Sequence, residues 1–169
     1  FDGFSASAGL GLIVMKAAEM AKDGKNHDEI QNALPDIIKS TDIFLLVKDL
    51  SYVVKGGRLP GWVKKVADFL HIRPVLTTKD NGSMGAAGII KGTSNLSGKM
   101  SKFVLSKLDT DTSYNISIGH CNKKGDGEKL MELIQNGHNK INSIYLMDIG
   151  CALGVHAGPG SLAAAVQPI

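Results

Sequence analysis

The 169-residue chain is 43% hydrophobic and 21% charged, which is typical of a globular protein. Its formal net charge of +3 is too small to indicate a nucleic-acid-binding surface, and no apolar run reaches the roughly 18 residues of a membrane span. The length suits one domain with a sizeable core. Cys121 and Cys151 are the only cysteines, too few for a disulfide framework, which indicates a reducing, cytoplasmic compartment.

Two helices are predicted near the start of the chain. Asn26 with Glu29 three residues later predicts a capped start for the second helix, and Pro35 predicts a kink or break within it. The first helix is expected over residues 7–22, because apolar residues recur there at helical spacing. Its predicted core face is Leu10, Ile13, Val14, Ala17, Ala18 and Ala21.

The next stretch predicts a buried strand followed by two helices. Residues 42–48 are mainly apolar, and residues 49–54 form a short helix that Gly56 and Gly57 end. The second of these helices begins near Pro60, a residue suited to a first helical turn. Its predicted apolar face is Leu59, Trp62, Val63, Val66, Phe69 and Leu70.

The remainder of the chain mixes a hairpin with alternating strands and helices. Asn81-Gly82 is a strong hairpin signal and predicts that residues 72–79 and 83–90 pair as antiparallel strands. Periodicity then predicts helices over residues 94–107 and 128–136, and strands over residues 114–118, 143–148, 152–156 and 162–166.

This order of elements predicts an α/β fold, a two-layer mixed β-sheet of about six strands covered by helices. The chain starts without a methionine, and Phe1 leads at once into a strand end and a loop that feeds a helix. We therefore expect a fragment that lacks an N-terminal part.

The motif His156-Ala157-Gly158-Pro159-Gly160 is the most informative feature of the sequence. It follows an apolar run that is expected to be a strand, and its glycines and proline can fix the imidazole in one orientation. Imidazole can donate to an anionic headgroup such as a carboxylate. The alternative interpretation is a turn with an incidental histidine.

A second motif, Lys55-Gly56-Gly57-Arg58, follows the short predicted helix. Two glycines allow a sharp helix end that presents both cations outward, and the guanidinium of arginine suits carboxylates and phosphates. The motif predicts either an anion or partner-docking site, or simply a glycine-stopped helix with solvated charges.

The sequence gives little support for a nucleotide-binding, hydrolase or metal site. Gly9-Leu10-Gly11 starts like a dinucleotide loop, but Val14 stands where the third glycine belongs. No Gly-x-Ser-x-Gly elbow is present. His120 lies beside a cysteine, but adjacent residues rarely bind one metal ion together. We predict no catalytic residue, no metal site and no cofactor.

Together the motifs resemble the DegV family of bacterial fatty-acid-binding proteins, specifically its C-terminal portion. The resemblance covers essentially all 169 residues and places the family's N-terminal domain outside the chain. It rests on the segments Ser5–Leu12, Asp49–Tyr52, Lys55–Leu59, Leu70–Leu76 and Gly154–Gly160, which occur in the family's order.

The resemblance implies a lipid carrier rather than an enzyme. Family members hold a long-chain fatty acid in a tunnel, its carboxylate bound by hydroxyl residues of the N-terminal domain and by the motif histidine, here His156 with Gly158 and Gly160. They present the acid to a fatty acid kinase, whose acyl phosphate product enters phospholipid synthesis. The alternatives are an enzyme of the dihydroxyacetone-kinase-like fold group and a ligand-free interaction module.

Kinase docking is the expected role of the basic residues Lys55, Arg58 and Lys91, with Arg58 serving docking rather than lipid binding. The sequence departs from the family at two positions. Lys91 stands where arginine is common and the basic residues that usually follow are missing, which weakens the docking prediction. Ala163 stands where glycine is frequent, and we expect it to narrow the tunnel mouth.

Overall fold

The computed structural model describes residues 1–169 and confirms the α/β class with a six-stranded mixed sheet. The strands are β1 (Asp42–Leu46), β2 (Ile72–Thr78), β3 (Met84–Lys91), β4 (Tyr114–His120), β5 (Ile141–Asp148) and β6 (Leu162–Pro168). The helices are α1 (Ser7–Lys22), α2 (His27–Ser40), α3 (Leu50–Lys55), α4 (Gly61–Phe69), α5 (Leu96–Leu105), α6 (Lys124–Gly137) and α7 (Cys151–Ala157).

The sheet has the strand order β3-β2-β1-β6-β4-β5. Only β4 and β5 pair in parallel, and the other neighbours are antiparallel. The predicted hairpin is confirmed, because β2 and β3 pair from Thr78 opposite Met84 onward and Gly82 adopts φ +76° in the turn. None of the helices combines the length and apolarity that crossing a bilayer would need.

Helices pack on both faces of the sheet. On one face α5 and α6 cover the main core, which includes Phe44, Ile116, Ile118, Leu130 and Ile134. On the other face α1 packs against β1 and β6, and α3 and α4 enclose a smaller cluster beside β2. The β1 strand contributes to both faces because successive side chains alternate.

The bounds of α1 are confirmed, but its predicted core face is only partly correct: Ile13 is buried as expected, at 4% exposed. Leu10 and Val14 are 42% and 59% exposed, whereas Ala8 and Leu12 are buried against the sheet. A Cβ atom at Gly9 would lie 3.3 Å from that of Ile43, so the smallest residues of α1 allow its first turn to approach β1 closely. Periodicity identified the helix, but the face that meets the sheet is centred on Ala8, Leu12 and Ile13 rather than on Leu10 and Val14.

The capping box at the start of α2 is confirmed. The Asn26 side chain accepts from the Glu29 backbone N–H at 3.0 Å, and the Glu29 carboxylate accepts from the Asn26 N–H at 2.9 Å. A break at Pro35 is wrong, since α2 continues through this residue. Pro35 is exposed, as is Gln31 four residues earlier, so water can bond the carbonyl that proline leaves without a donor.

The helix predicted after Pro60 is α4, but most of its apolar face is not in the core. Trp62 and Phe69 are 67% and 82% exposed, and Ala67 is the one buried residue of this helix. The side chains of α4 that were expected inside therefore form part of the protein surface.

The strand predicted over residues 152–156 is wrong, because this segment is the helix α7. Its backbone shows helical bonding, with the Gly154 N–H donating to Gly150 and the Gly158 N–H donating to Gly154, both at 2.8 Å. The neighbouring strand β6 is already paired on both sides, by β1 and β4, so a further strand has no free edge beside it. Short apolar runs do not distinguish strand from helix by periodicity.

Candidate functional site

A cavity of about 230 Å³ lies on the sheet face that α1, α3 and α7 partly cover. Eleven of its sixteen lining residues are hydrophobic, and Arg58 is the only one with a formal charge at neutral pH. The lining consists of Ala6, Ser7, Ile43, Leu45, Val53, Arg58, Leu76, Thr77, Thr78, Met84, Ile149, Ala152, Leu153, His156, Ala157 and Ala163.

His156 lies in the last turn of α7 and lines this cavity. Its Nδ1 atom is buried and has no hydrogen-bond partner. A buried polar atom without a partner costs about 1–3 kcal/mol, so such atoms are uncommon in folded proteins and call for an explanation. A ligand that accepts from the imidazole would remove this cost.

The structure brings the two sequence motifs together at His156. A Cβ atom added at Gly56 would overlap Nδ1 of His156 and lie 3.1 Å from its Cε1, so the imidazole rests against the backbone of the Lys55–Arg58 segment. Arg58 also lines the cavity, and its guanidinium donates to the carbonyl of Gly56. Arg58 is therefore both exposed and adjacent to the cavity, whereas the sequence suggested the surface alone.

The glycines of the His156 motif shape the turn that follows α7 and do not line the cavity. Gly158 and Gly160 adopt φ +76° and +85°, in the left-handed region. A Cβ at Gly158 would lie 2.7 Å from Cγ of Tyr52, and one at Gly160 would lie 2.6 Å from Cδ of Lys48. The motif thus ends a helix and starts β6, rather than ending a strand as the sequence suggested.

The other two basic residues with a predicted docking role lie outside the cavity. Lys55 is exposed at the end of α3, near His156. Lys91 is exposed at the end of β3, opposite Ile72 of β2. Lys55 and Arg58 therefore lie together on the segment after α3, whereas Lys91 lies on the edge strand β3, two strands away from β1.

Two serines at the start of α1 are features that the sequence analysis did not assign to the site. The hydroxyl oxygens of Ser5 and Ser7 are buried without a hydrogen-bond partner, and Ser7 lines the cavity. The Ser5 hydroxyl lies against Gly9 of the first turn. The small residues here fit a close approach of the helix to the sheet, but nothing in them indicates that Ser7 would line a cavity.

A third group of polar residues lies at the ends of β4 and β5, away from the cavity. Buried His120 has its Nδ1 3.3 Å from a carboxylate oxygen of Asp148, and burial raises the pKa of the neighbouring Cys121 thiol. No group of three or more histidine, cysteine or acidic residues comes together as metal ligands.

Comparison with known sequences identifies one family along nearly the whole chain. A sequence profile described as "Uncharacterised protein, DegV family" matches residues 1–168. A DegV domain-containing protein of Clostridium perfringens is 31% identical over 167 residues, which are 99% of this chain and 59% of that relative. The chain thus spans well under two thirds of the relative's length.

Solved structures show the same fold. A fatty acid binding DegV family protein from Streptococcus agalactiae matches with a TM-score of 0.82 at 25% identity, over 100% of this chain and 59% of that one. A DegV family protein from Corynebacterium glutamicum matches with a TM-score of 0.83 at 26% identity, over 99% and 63%. A stearic acid-binding protein from Eubacterium ventriosum shares the fold, with a TM-score of 0.84 at 24% identity over 99% and 58%. The chain belongs to the DegV family.

Proposed function

We propose that this chain is part of a bacterial, cytoplasmic carrier that binds a long-chain fatty acid and presents it to a fatty acid kinase. In this role the protein binds and delivers the acid, and the kinase catalyses the phosphoryl transfer to its carboxylate that forms the acyl phosphate for phospholipid synthesis. The proposal is supported by family membership and by the fatty-acid-binding proteins among its structural relatives.

The observation that carries the proposal is His156, a residue that lines a mainly apolar cavity and whose buried Nδ1 has no hydrogen-bond partner. A fatty acid needs this combination, an apolar space for its chain and a few donors for its carboxylate. The exposed Arg58 borders the same cavity, but its guanidinium already donates to the carbonyl of Gly56, so we assign it no part in binding the carboxylate. Gly158 and Gly160 support the site by holding the turn after His156, not by touching the ligand.

The apolar chain of the ligand supplies most of the binding free energy in this scheme. Burial of about 14 methylene groups at ~0.8 kcal/mol each would contribute roughly 11 kcal/mol before the costs of association. The cavity of about 230 Å³ is smaller than the ~300–1,000 Å³ of ordinary ligand pockets. We therefore propose that other parts of the whole protein enclose the rest of the acyl chain.

Lys55, Arg58 and Lys91 are the residues that we propose for docking to the kinase. All three are exposed and basic, which suits an acidic surface on a partner. Lys55 and Arg58 flank Gly56 and Gly57, and Gly56 lies against His156, so a kinase bound there would lie close to the ligand carboxylate.

The function is tested on the whole protein, purified from bacteria and extracted with organic solvent for mass spectrometry. We expect about one fatty acid per protein molecule. His156→Ala should weaken palmitate binding about 5- to 150-fold, equivalent to the 1–3 kcal/mol of a charge-assisted hydrogen bond. His156→Gln, which keeps a donor, should recover part of the affinity, and His27→Ala on exposed α2 is the matched control.

Three results would contradict the proposal. Unchanged palmitate affinity in His156→Ala would remove this residue from the site. A protein with neither bound nor bindable lipid would indicate an interaction module instead. ATP turnover by the protein alone, without a kinase, would indicate an enzyme.

A further inference from the structure

Buried polar atoms without partners concentrate at the candidate site. Four side-chain nitrogen or oxygen atoms in the structure are buried in this way, and two of them, Ser7 Oγ and His156 Nδ1, belong to residues that line the same cavity. Ser7 comes from the first turn of α1 and His156 from the last turn of α7. Two different elements therefore bring an unsatisfied polar group to the same apolar space.

The surroundings of Ser7 favour a negatively charged partner. Ser7 is the first residue of the 16-residue helix α1, whose N-cap, Ala6, provides no side-chain cap, and the first turn contains no acidic residue. Uncapped N–H groups and the helix dipole make such an end attractive to anions. The cavity lining contains no aspartate or glutamate that could already fill this role.

The backbone of Ser7 is also unusual for the start of a helix. Its φ of +47° lies in the left-handed region, which side chains other than glycine seldom adopt.

We propose that Ser7 is a second hydrogen-bond donor to the carboxylate of the bound fatty acid, acting from α1 while His156 acts from α7. This inference rests on the proposed function. A carboxylate has two oxygens and about four acceptor sites, so it can accept from both side chains at once. The ligand would then satisfy both of the buried polar atoms that the cavity leaves without partners.

The test compares Ser7→Ala with Ser5→Ala in the whole protein, using calorimetric titration with palmitate. Ser5 is the matched control because its hydroxyl is equally buried and partnerless but does not line the cavity. We expect Ser7→Ala to weaken palmitate binding about 5- to 30-fold, because the variant loses one hydrogen bond to a charged group. Ser5→Ala should change palmitate affinity less than about twofold. Ser7→Gly removes the hydroxyl without straining the left-handed backbone and should match Ser7→Ala.

Two further measurements tie the effect to the carboxylate. Binding of 1-hexadecanol, which lacks the charge, should change less in Ser7→Ala than binding of palmitate does. In the double variant Ser7→Ala with His156→Ala, the combined loss should differ from the product of the single losses, because both residues contact one group.

The outcomes separate the inference from the function on which it rests. Unchanged palmitate affinity in both Ser7 variants would overturn the role of Ser7, and so would a loss of affinity in Ser5→Ala equal to that in Ser7→Ala. In either case, palmitate binding by the wild-type protein would still support the carrier function. Equal losses for hexadecanol and palmitate, or strictly multiplicative single losses, would also overturn it. A wild-type protein that binds no palmitate would refute the proposed function and this inference with it.

Discussion

Substitution of Gly56 offers a direct test of the site, because it moves His156 without changing any side chain that could touch a ligand. Gly56 has ordinary right-handed backbone angles, φ −74° and ψ −2°, so alanine introduces no backbone strain. The new methyl group would, however, overlap Nδ1 of His156 and push the imidazole away from its present position. We expect Gly56→Ala to weaken palmitate binding about 5- to 150-fold, as the loss of His156 would.

The stability of Gly56→Ala should change little. At a position whose backbone angles alanine can adopt, replacing glycine stabilises a protein by about 0.4–1 kcal/mol, because it restricts the unfolded chain. This gain offsets part of the cost of rotating a half-buried ring. One kcal/mol corresponds to about 2–4 °C in the melting temperature of a protein of this size. A shift of at most a few degrees is therefore expected.

Gly57→Ala is the matched control, because it should lower the stability of the protein and leave palmitate affinity unchanged. Gly57 has φ +72°, and a Cβ there would contact nothing within 4 Å. Alanine in this left-handed conformation costs about 1–2 kcal/mol, so the melting temperature should fall by roughly 2–8 °C while palmitate affinity stays unchanged. Thermal melts, calorimetric titration and NMR signals of the five histidine rings measure both effects. Full affinity and an unshifted His156 signal in Gly56→Ala would refute the placement of His156.

Three further predictions concern docking, pH and the isolated chain. Arg58→Ala should keep fatty acid affinity within about twofold but slow acyl phosphate formation by the kinase, and Lys39→Ala is the control. A variant that loses fatty acid binding, while the kinase keeps its normal turnover for each bound fatty acid, would contradict the docking role. Burial raises the pKa of Asp42, so the carboxyl holds its proton more tightly in the folded state than in the unfolded state, and the fold loses stability as pH rises through that pKa. Asp42→Asn should therefore stabilise the protein at pH 7 and not at pH 3. Equal urea unfolding midpoints for the variant and the wild type at pH 7 would contradict this. The isolated 169 residues should bind palmitate at least ~30-fold more weakly than the whole protein, because the family resemblance implies that two or more carboxylate donors, of about 1 kcal/mol each, belong to other parts of that protein. They should also self-associate in light scattering, and a monomer with equal affinity would contradict this prediction.

The sequence was sufficient to predict most elements, because their signals are local. The capping box at Asn26 and the hairpin at Asn81-Gly82 depend on residues only a few positions apart, and both are confirmed. The bounds of α1 also follow from periodicity alone. Which stripe of α1 meets the sheet is decided by distant residues such as Ile43, and periodicity contains no information about them.

The candidate site was predictable only in part for the same reason. The glycines around Gly56 predicted a sharp helix end and those after His156 predicted a fixed imidazole, but neither motif indicated that the two segments meet across a hundred residues of chain. The segment before Gly158 was too short and too uniformly apolar to identify as a helix. Ser7 gave no sign at all, since a serine near a helix start ordinarily suggests a cap.

The floor of the cavity has a consequence for how the family could diversify. Ala163 lies fully buried in the central strand β6 and lines the cavity, so the depth of the cavity at this point is limited by a single methyl group. A glycine at position 163 would deepen the floor by one methyl group, and a valine or leucine would fill it. Neither change would touch His156, Ser7 or any surface residue. Selection for shorter or longer ligands could thus act on a single buried position while head-group recognition and partner recognition remained constant.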